Sequence, residues 1–209
     1  LPIWKASAKS ASPVPVKTRA FVNDVGGIST TGSLVEISIR LCHGGSVNNL
    51  SIIVSSTRPK RVGAAVGAWV ADALGSQWDV TVLDLAEINL PFVDEDLPAG
   101  SGIYTKPHTL AWKAAIDGAD ALVVVTPEYN GFFTAPLKNA VDYLRAEWAG
   151  KPVALVGYGL GGGQRATGAL TQLFANVKAD VVGTTGLVFN TDLTMAGELS
   201  IGAGKDAEL

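Results

Sequence analysis

Cysteine occurs once in this 209-residue chain, at Cys42, and histidine only twice, at His43 and His108. A single thiol excludes an internal disulfide framework and any multi-cysteine metal site, and two imidazoles are too few for most zinc centres. Cys42 and His43 do not suit a catalytic pair, because sequence neighbours rarely meet in the geometry a nucleophile and its base require. Methionine is absent before Met195, as expected of a chain that is processed, truncated or engineered. No apolar run reaches the roughly 18 residues of a membrane span. Basic charge is scarce after residue 48, where eleven Lys and Arg face seventeen Asp and Glu. That balance argues against a nucleic-acid footprint. The expectation is a cytoplasmic protein with neither nucleic-acid nor membrane partners.

What is present suits a folded body. Hydrophobic residues make up 47% and charged residues 17%, enough apolar surface for a large core and far from a disordered composition. The length fits one domain, with or without an appendage. Residues 1–48 differ in composition: "KASAKSASPVPVKTR" is rich in Ser, Ala and Lys, and no acid precedes Asp24. They are expected to form an N-terminal extension, flexible or a remnant, within which "LVEISIRL" (34–41) alternates like a short strand. The second unit is expected to be a domain at 49–209.

From Asn49 the pattern turns regular. "LSIIV", "DVTVLDL", "ALVVV", "KPVALVGYG" and "ADVVGTTGLVF" are strands separated by helical stretches, and the central strands are continuous apolar runs. Alternating strands and helices of this kind predict a parallel sheet covered on both faces, doubly wound by right-handed crossovers. Five strands favour the flavodoxin-like order 2-1-3-4-5, with its ligand crevice at the carboxyl ends near the β1/β3 switch point.

The loops after strands 1, 3 and 4 flank that crevice, and they are the three unusual loops of the chain. Loop 1, "SSTRPKRVG", offers the hydroxyls of Ser55, Ser56 and Thr57, helix-end N–H groups, and Arg58 and Arg61. Such a set matches a phosphate. Helix capping alone does not explain two arginines in a first turn, where the helix dipole disfavours cations. Loop 3 sets Pro127, Glu128, Tyr129, Asn130 and Gly131 in a row. Tyr129 supplies a flat face, Asn130 an amide edge for a heterocycle, and Gly131 close backbone approach. Glu128 serves as an acid or base, or fixes the loop or a subunit contact. Loop 4, "GYGLGGGQRA", contains Gly157-x-Gly159-x-x-Gly162, the spacing of a dinucleotide fingerprint. It follows the fourth strand, however, and Asp180 begins the next strand where a ribose-binding acid should end one. A loop kept small so that a flat ring can lie on it is the better account. A phosphate site beside a planar-ring site describes a mononucleotide with a large heterocycle, and FMN fits.

These residues also carry a resemblance. "SSTRPKRVG" resembles the GSxRxxR opening of the NADPH-dependent FMN reductase family, and "TPEYNGFFTAPLKNAVDYL" resembles its PEYN…LKNAID segment. "YTKPHTLAWKAAI" and "GYGLGGGQRA" are also similar to family segments, so the likeness covers roughly 49–192. It implies phosphate contacts from Ser56, Arg58 and Arg61, flavin contacts from Pro127 to Gly131, and approach to the ring from Tyr158, Gly159, Gly161, Gly162 and Gly163. It further implies hydride transfer from NADPH or NADH to FMN, then to a quinone, azo compound, metal oxyanion or flavin, with ping-pong kinetics. No catalytic side chain is expected, since the cofactor carries the chemistry. The chain departs from the family at Ser55, where a glycine is usual. It also lacks the serine often found in the Gly-rich loop. The rival reading is a flavodoxin-like electron carrier. A homodimer or homotetramer is expected, with Tyr143, Trp148, Phe132 and Phe133 left outside the monomer's core to meet a partner.

Overall fold

The computed structural model describes residues 49–74 and 78–201; the N-terminal segment and its candidate strand at 34–41 lie outside the described residues. Five strands, β1 (Asn49–Val54), β2 (Asp79–Asp84), β3 (Ala121–Pro127), β4 (Pro152–Gly159) and β5 (Asp180–Val188), form one sheet of order β2-β1-β3-β4-β5. Every pairing is parallel. This is the predicted flavodoxin-like α/β architecture. β3 is buried at all seven positions, as a central parallel strand with both faces covered must be.

Among the described residues five α-helices connect the strands: α1 (Gly63–Leu74), α2 (Leu85–Ile88), α3 (Pro107–Asp117), α4 (Ala135–Asp142) and α5 (Gln164–Asn176). α1 lays Val66, Val70 and Leu74 on alternate residues of the sheet, among them Leu50, Ile52, Val54, Val123 and Val156. The chain after β5 packs on this same core through Phe189, Leu193 and Leu199. Elsewhere α3, α4 and α5 converge. Trp112 of α3 lies 6.4 Å from Trp148, and Trp148 lies edge-on to Phe174 of α5 at 5.9 Å. Both indole N–H groups donate to carbonyls in the last turn of α4, at Ala140 (2.8 Å) and Val141 (3.1 Å). Carbonyls in a last helical turn run short of helical partners, and the indoles add donors there while filling the core.

α4 buries Leu137 and Val141 of the expected stripe, and Leu144, two residues past the helix end, is buried as well. The expected partner-facing aromatics are a correction. Tyr143, Trp148 and Phe133 are buried within the chain itself, and Phe132 alone of the four is exposed, at 53%. Trp148 is enclosed by Trp112 and Phe174, and for Tyr143 the cause is the segment from Asn89 to Lys106, which folds back over α4. Tyr143 donates to the carbonyl of Pro91 (3.1 Å), Asn139 Nδ2 donates to the same carbonyl (2.6 Å), and Asn139 Oδ1 accepts from Val93 N (3.1 Å).

Candidate active site

The carboxyl ends of β1, β3 and β4 carry the three loops singled out by sequence. Parallel pairing of Val54 with Val125, and of Pro127 with Tyr158, brings them side by side. Arg58 and Arg61 of loop 1, Pro127, Glu128 and Tyr129 of loop 3, and Tyr158 of loop 4 line one small cavity of about 40 Å3, closed by Phe189 and Met195. Six residues chosen from three separate segments thus meet at one point.

Loop 1 is unfinished. Ser55 Oγ and Arg61 Nη1 are buried and have no hydrogen-bond partner among the described residues. Ser56 Oγ, also fully buried, lies by the Tyr158 phenol beside the start of α1. Arg58 is exposed at the rim. Buried donors left unmade cost on the order of 1–3 kcal/mol each, so a loop that keeps them calls for an explanation. Arg61 itself is held by Asp84, whose Oδ2 accepts from Nη2 at 2.6 Å. Thr57 points elsewhere, to a cavity of about 500 Å3 that it shares with Leu85, Asn89, Phe92 and Pro136.

Loops 3 and 4, by contrast, satisfy one another. Asn130 (φ 52°) and Gly131 (φ 81°) are the two central residues of a tight hairpin turn. Tyr129 N donates to Phe132 O at 2.8 Å, and Phe132 N donates back to Tyr129 O at 3.0 Å. Both central residues lie at positive φ, as a type I′ turn demands, and an Asn-Gly pair is its strongest sequence signal. That signal was available in "EYNGFF" and explains Asn130 and Gly131 without a ligand. The Glu128 carboxylate is likewise in use. It accepts from Arg165 Nε (2.8 Å) and Nη2 (2.5 Å), and from the backbone N of Arg165 (3.1 Å). The last bond caps the start of α5, where Gly163 offers no capping side chain. Glu128 therefore fixes the loop.

Loop 4 is small chiefly for its own backbone. A Cβ on Gly163 would lie 2.5 Å from Tyr158 N, and one on Gly157 would lie 2.9 Å from Gly163 O. Gly162 and Gly163 both have positive φ, at 66° and 71°. Gly159 O accepts from Gly162 N and from Phe189 N, and only at Gly161 would a side chain meet open space within this loop. Tyr158 is buried beneath the loop, edge-on to Phe189 at 6.1 Å. Burial above all pushes its phenol up to about 12, against the pull of Ser56, Arg61 and Arg58, so it stays protonated at neutral pH. Two residues that sequence reasoning missed, Asp84 and Arg165, secure this edge. Asp84 begins "DLAE", an acid-x-x-Glu spacing that resembles a capping box. Arg165 carries no signal in sequence.

Among the described residues no cluster of His, Cys, Asp and Glu can hold a metal ion, and no helix is long and apolar enough to cross a membrane. The arrangement defines a flavodoxin-like α/β protein whose loop 1 keeps buried, unmatched donors beside compact, self-supported loops.

Comparison with known proteins narrows that class. Residues 49–193 match the model of the family described as NADPH-dependent FMN reductase. Among curated relatives, an NAD(P)H-dependent FMN reductase of Nectria sp is 42% identical over 59% of this chain and 65% of its own length. One from Schizosaccharomyces pombe is 40% identical over 64% and 68%. A quinone reductase of Pseudomonas putida is 31% identical over 53% and 59%. The match thus spans about two thirds of the length of the first two. The NAD(P)H:acceptor flavoenzyme FerB of Paracoccus denitrificans, 22% identical over 76% of this chain and 85% of its own, shares the fold with a TM-score of 0.53. This chain belongs to the NADPH-dependent FMN reductase family, and with it to the FMN-dependent NAD(P)H oxidoreductases.

Proposed function

We propose that this chain passes reducing equivalents from NADPH or NADH through FMN to a small acceptor: a quinone, azo compound, metal oxyanion or flavin. The observation that carries the reading is loop 1, with buried Ser55 Oγ and Arg61 Nη1 unmatched at the start of a twelve-residue helix. Ser56, Arg58 and Arg61 would hold the FMN phosphate, and Thr57 stands at the margin of that cradle. Pro127, Glu128, Tyr129, Asn130 and Gly131, with Tyr158, Gly159, Gly161, Gly162 and Gly163, would border the ring. When bound, FMN supplies the hydride chemistry. The protein's share is to bind, orient and exclude water. Glu128 and Arg165 keep loop 3 against α5, and the protonated Tyr158 closes the floor.

The oxidoreductase would work in the cytoplasm as a homodimer or homotetramer built from residues 49–209, with 1–48 dispensable. With Tyr143, Trp148 and Phe133 buried, the contact surface is sought instead at Phe92, Val93, Leu97, Ile103 and Leu110, which are exposed between 46% and 85%. Solitary exposed apolar groups are ordinary, but five within twenty residues suit a surface that a second copy covers. The deciding experiment is the absorption spectrum of purified protein before and after NADPH in a stopped-flow mixer. Fast bleaching of a flavin band supports the reductase, slow bleaching supports an electron carrier, and a colourless protein that takes up no FMN ends the reading.

A further inference from the structure

From the arrangement behind loop 1 we infer that Asp84 is a positioning residue for phosphate recognition, acting through Arg61 to set the preference for FMN over riboflavin. The inference rests on the reading that loop 1 holds the FMN phosphate. Asp84 is the last residue of β2 and pairs in register with Val54, the last residue of β1 and the neighbour of Ser55. The sheet therefore delivers a carboxylate to the side of the cradle. Both of its oxygens are engaged. Oδ1 accepts from Ala86 N at 3.0 Å, starting α2, and Oδ2 accepts from Arg61 Nη2 at 2.6 Å. The two side chains are largely shielded, at 11% and 19% exposure.

A guanidinium is a planar fork with donors on more than one edge. With one edge anchored on Asp84, rotation of the plane is restrained, and Nη1 is left buried and unpartnered in the loop that also holds the unpartnered Ser55 Oγ. Without the anchor, a long and flexible side chain would leave that position for water, because an unpaired buried charge is costly. Asp84 thereby stabilises the binding geometry in advance, and preorganisation of this kind raises affinity by lowering the ordering cost of binding. Lysine cannot replace this arginine. A compact ammonium can serve the carboxylate or the phosphate, but does not span both with a fixed fork.

Asp84→Asn separates this role from helix capping, since Asn caps as well as Asp while the charged anchor is lost. The full chain, freed of flavin, is titrated with FMN and with riboflavin by flavin fluorescence. Asp84→Asn is expected to weaken FMN about tenfold, as loss of a charge-assisted contact would, and to leave riboflavin within about twofold. Arg61→Lys should give the same pattern, and the double variant should lose no more than the worse single one, because the two residues act as a unit. Unchanged or tighter FMN binding in Asp84→Asn overturns the inference, as does an equal loss for both ligands, which marks a structural role. If Asp84→Asn does not fold, the FMN-to-riboflavin ratio of Arg61→Lys decides alone, and a ratio equal to that of the unaltered chain overturns it. An unaltered chain that binds FMN no better than riboflavin refutes the phosphate reading itself.

Discussion

Loop 1 and the pair formed by loops 3 and 4 meet at the same edge of the sheet, yet they are completed to different degrees. Loops 3 and 4 are closed by their own bonds: the Tyr129–Phe132 bridge, the Glu128–Arg165 pair and the packing of Gly163 on Tyr158. Loop 1 keeps buried donors without partners at Ser55 and Arg61. Native interiors rarely tolerate such groups, so where they occur they indicate what the site is shaped to receive. On the proposed reading, the closed pair would supply a rigid border and the open loop would supply recognition. Rigid support around a few unsatisfied, oriented donors is how a binding site is held to its geometry.

The largest way to break this contrast is to spoil the closed side. Gly163→Ala puts a side chain at φ 71° and a Cβ 2.5 Å from Tyr158 N. Left-handed strain of about 1–2 kcal/mol and overpacking of about 1–3 kcal/mol together give an expected loss of roughly 2–5 kcal/mol. A urea midpoint measured for both proteins checks this. A loss under about 1 kcal/mol would mean that loop 4 yields and is not a rigid border.

Next comes the open side. Arg58 is exposed at the rim, so Arg58→Ala should leave the unfolding midpoint alone while weakening FMN about tenfold. Riboflavin should hardly respond. Equal losses for the two ligands would show that the arginine does not meet the phosphate. A smaller effect is expected where the two sides are joined. Glu128→Ala removes the cap on Arg165 N and its ion pair, for a cost of about 1 kcal/mol. Arg165→Ala should cost less, because that side chain is 75% exposed and exposed pairs contribute little.

The fold was legible because its strands are apolar runs of the right length between Gly-rich and Pro-rich breaks, and order 2-1-3-4-5 follows from five parallel strands with right-handed crossovers. Loop 1 could be singled out from sequence because Ser55, Ser56, Arg58 and Arg61 lie within seven residues, and the structure leaves Ser55 Oγ and Arg61 Nη1 buried without partners. Asn130 and Gly131 were read as ligand contacts although their pairing is a hairpin signature. The backbone requirement and a contact to a ligand are compatible, since the turn leaves both residues at the loop's tip. Asp84 and Arg165 act across the sheet edge, with partners 23 and 37 positions away, and no local pattern announces such a pairing. Tyr143 failed as an interface marker because the segment at 89–106, which has no periodicity, folds over α4 and bonds its hydroxyl, and Trp148 failed because Trp112 and Phe174 enclose it.

That covering segment gives the last prediction, and the smallest. It is fastened by Glu95, whose carboxylate accepts from Lys106 N at 2.8 Å and from Thr105 N and Thr105 Oγ1 at 2.9 Å. These donors lie at the start of α3, where a negative charge also meets the positive end of the helix dipole. Burial works to raise the Glu95 carboxyl, but the backbone bonds from Lys106 and Thr105 outweigh it and bring the group down to about 2 from the ordinary 4.5. A carboxyl lowered on folding stabilises the native state above its unfolded value, and the contribution is lost as pH falls from about 4.5 towards about 2. Glu95→Gln should therefore unfold at lower urea than the unaltered chain at pH 7. The gap should narrow steadily below pH 4.5, as the unfolded chain's carboxyl takes up a proton that the native one resists until about pH 2. A gap of constant width between pH 7 and pH 3 would mean that the shape of the side chain fastens the segment and its charge does not.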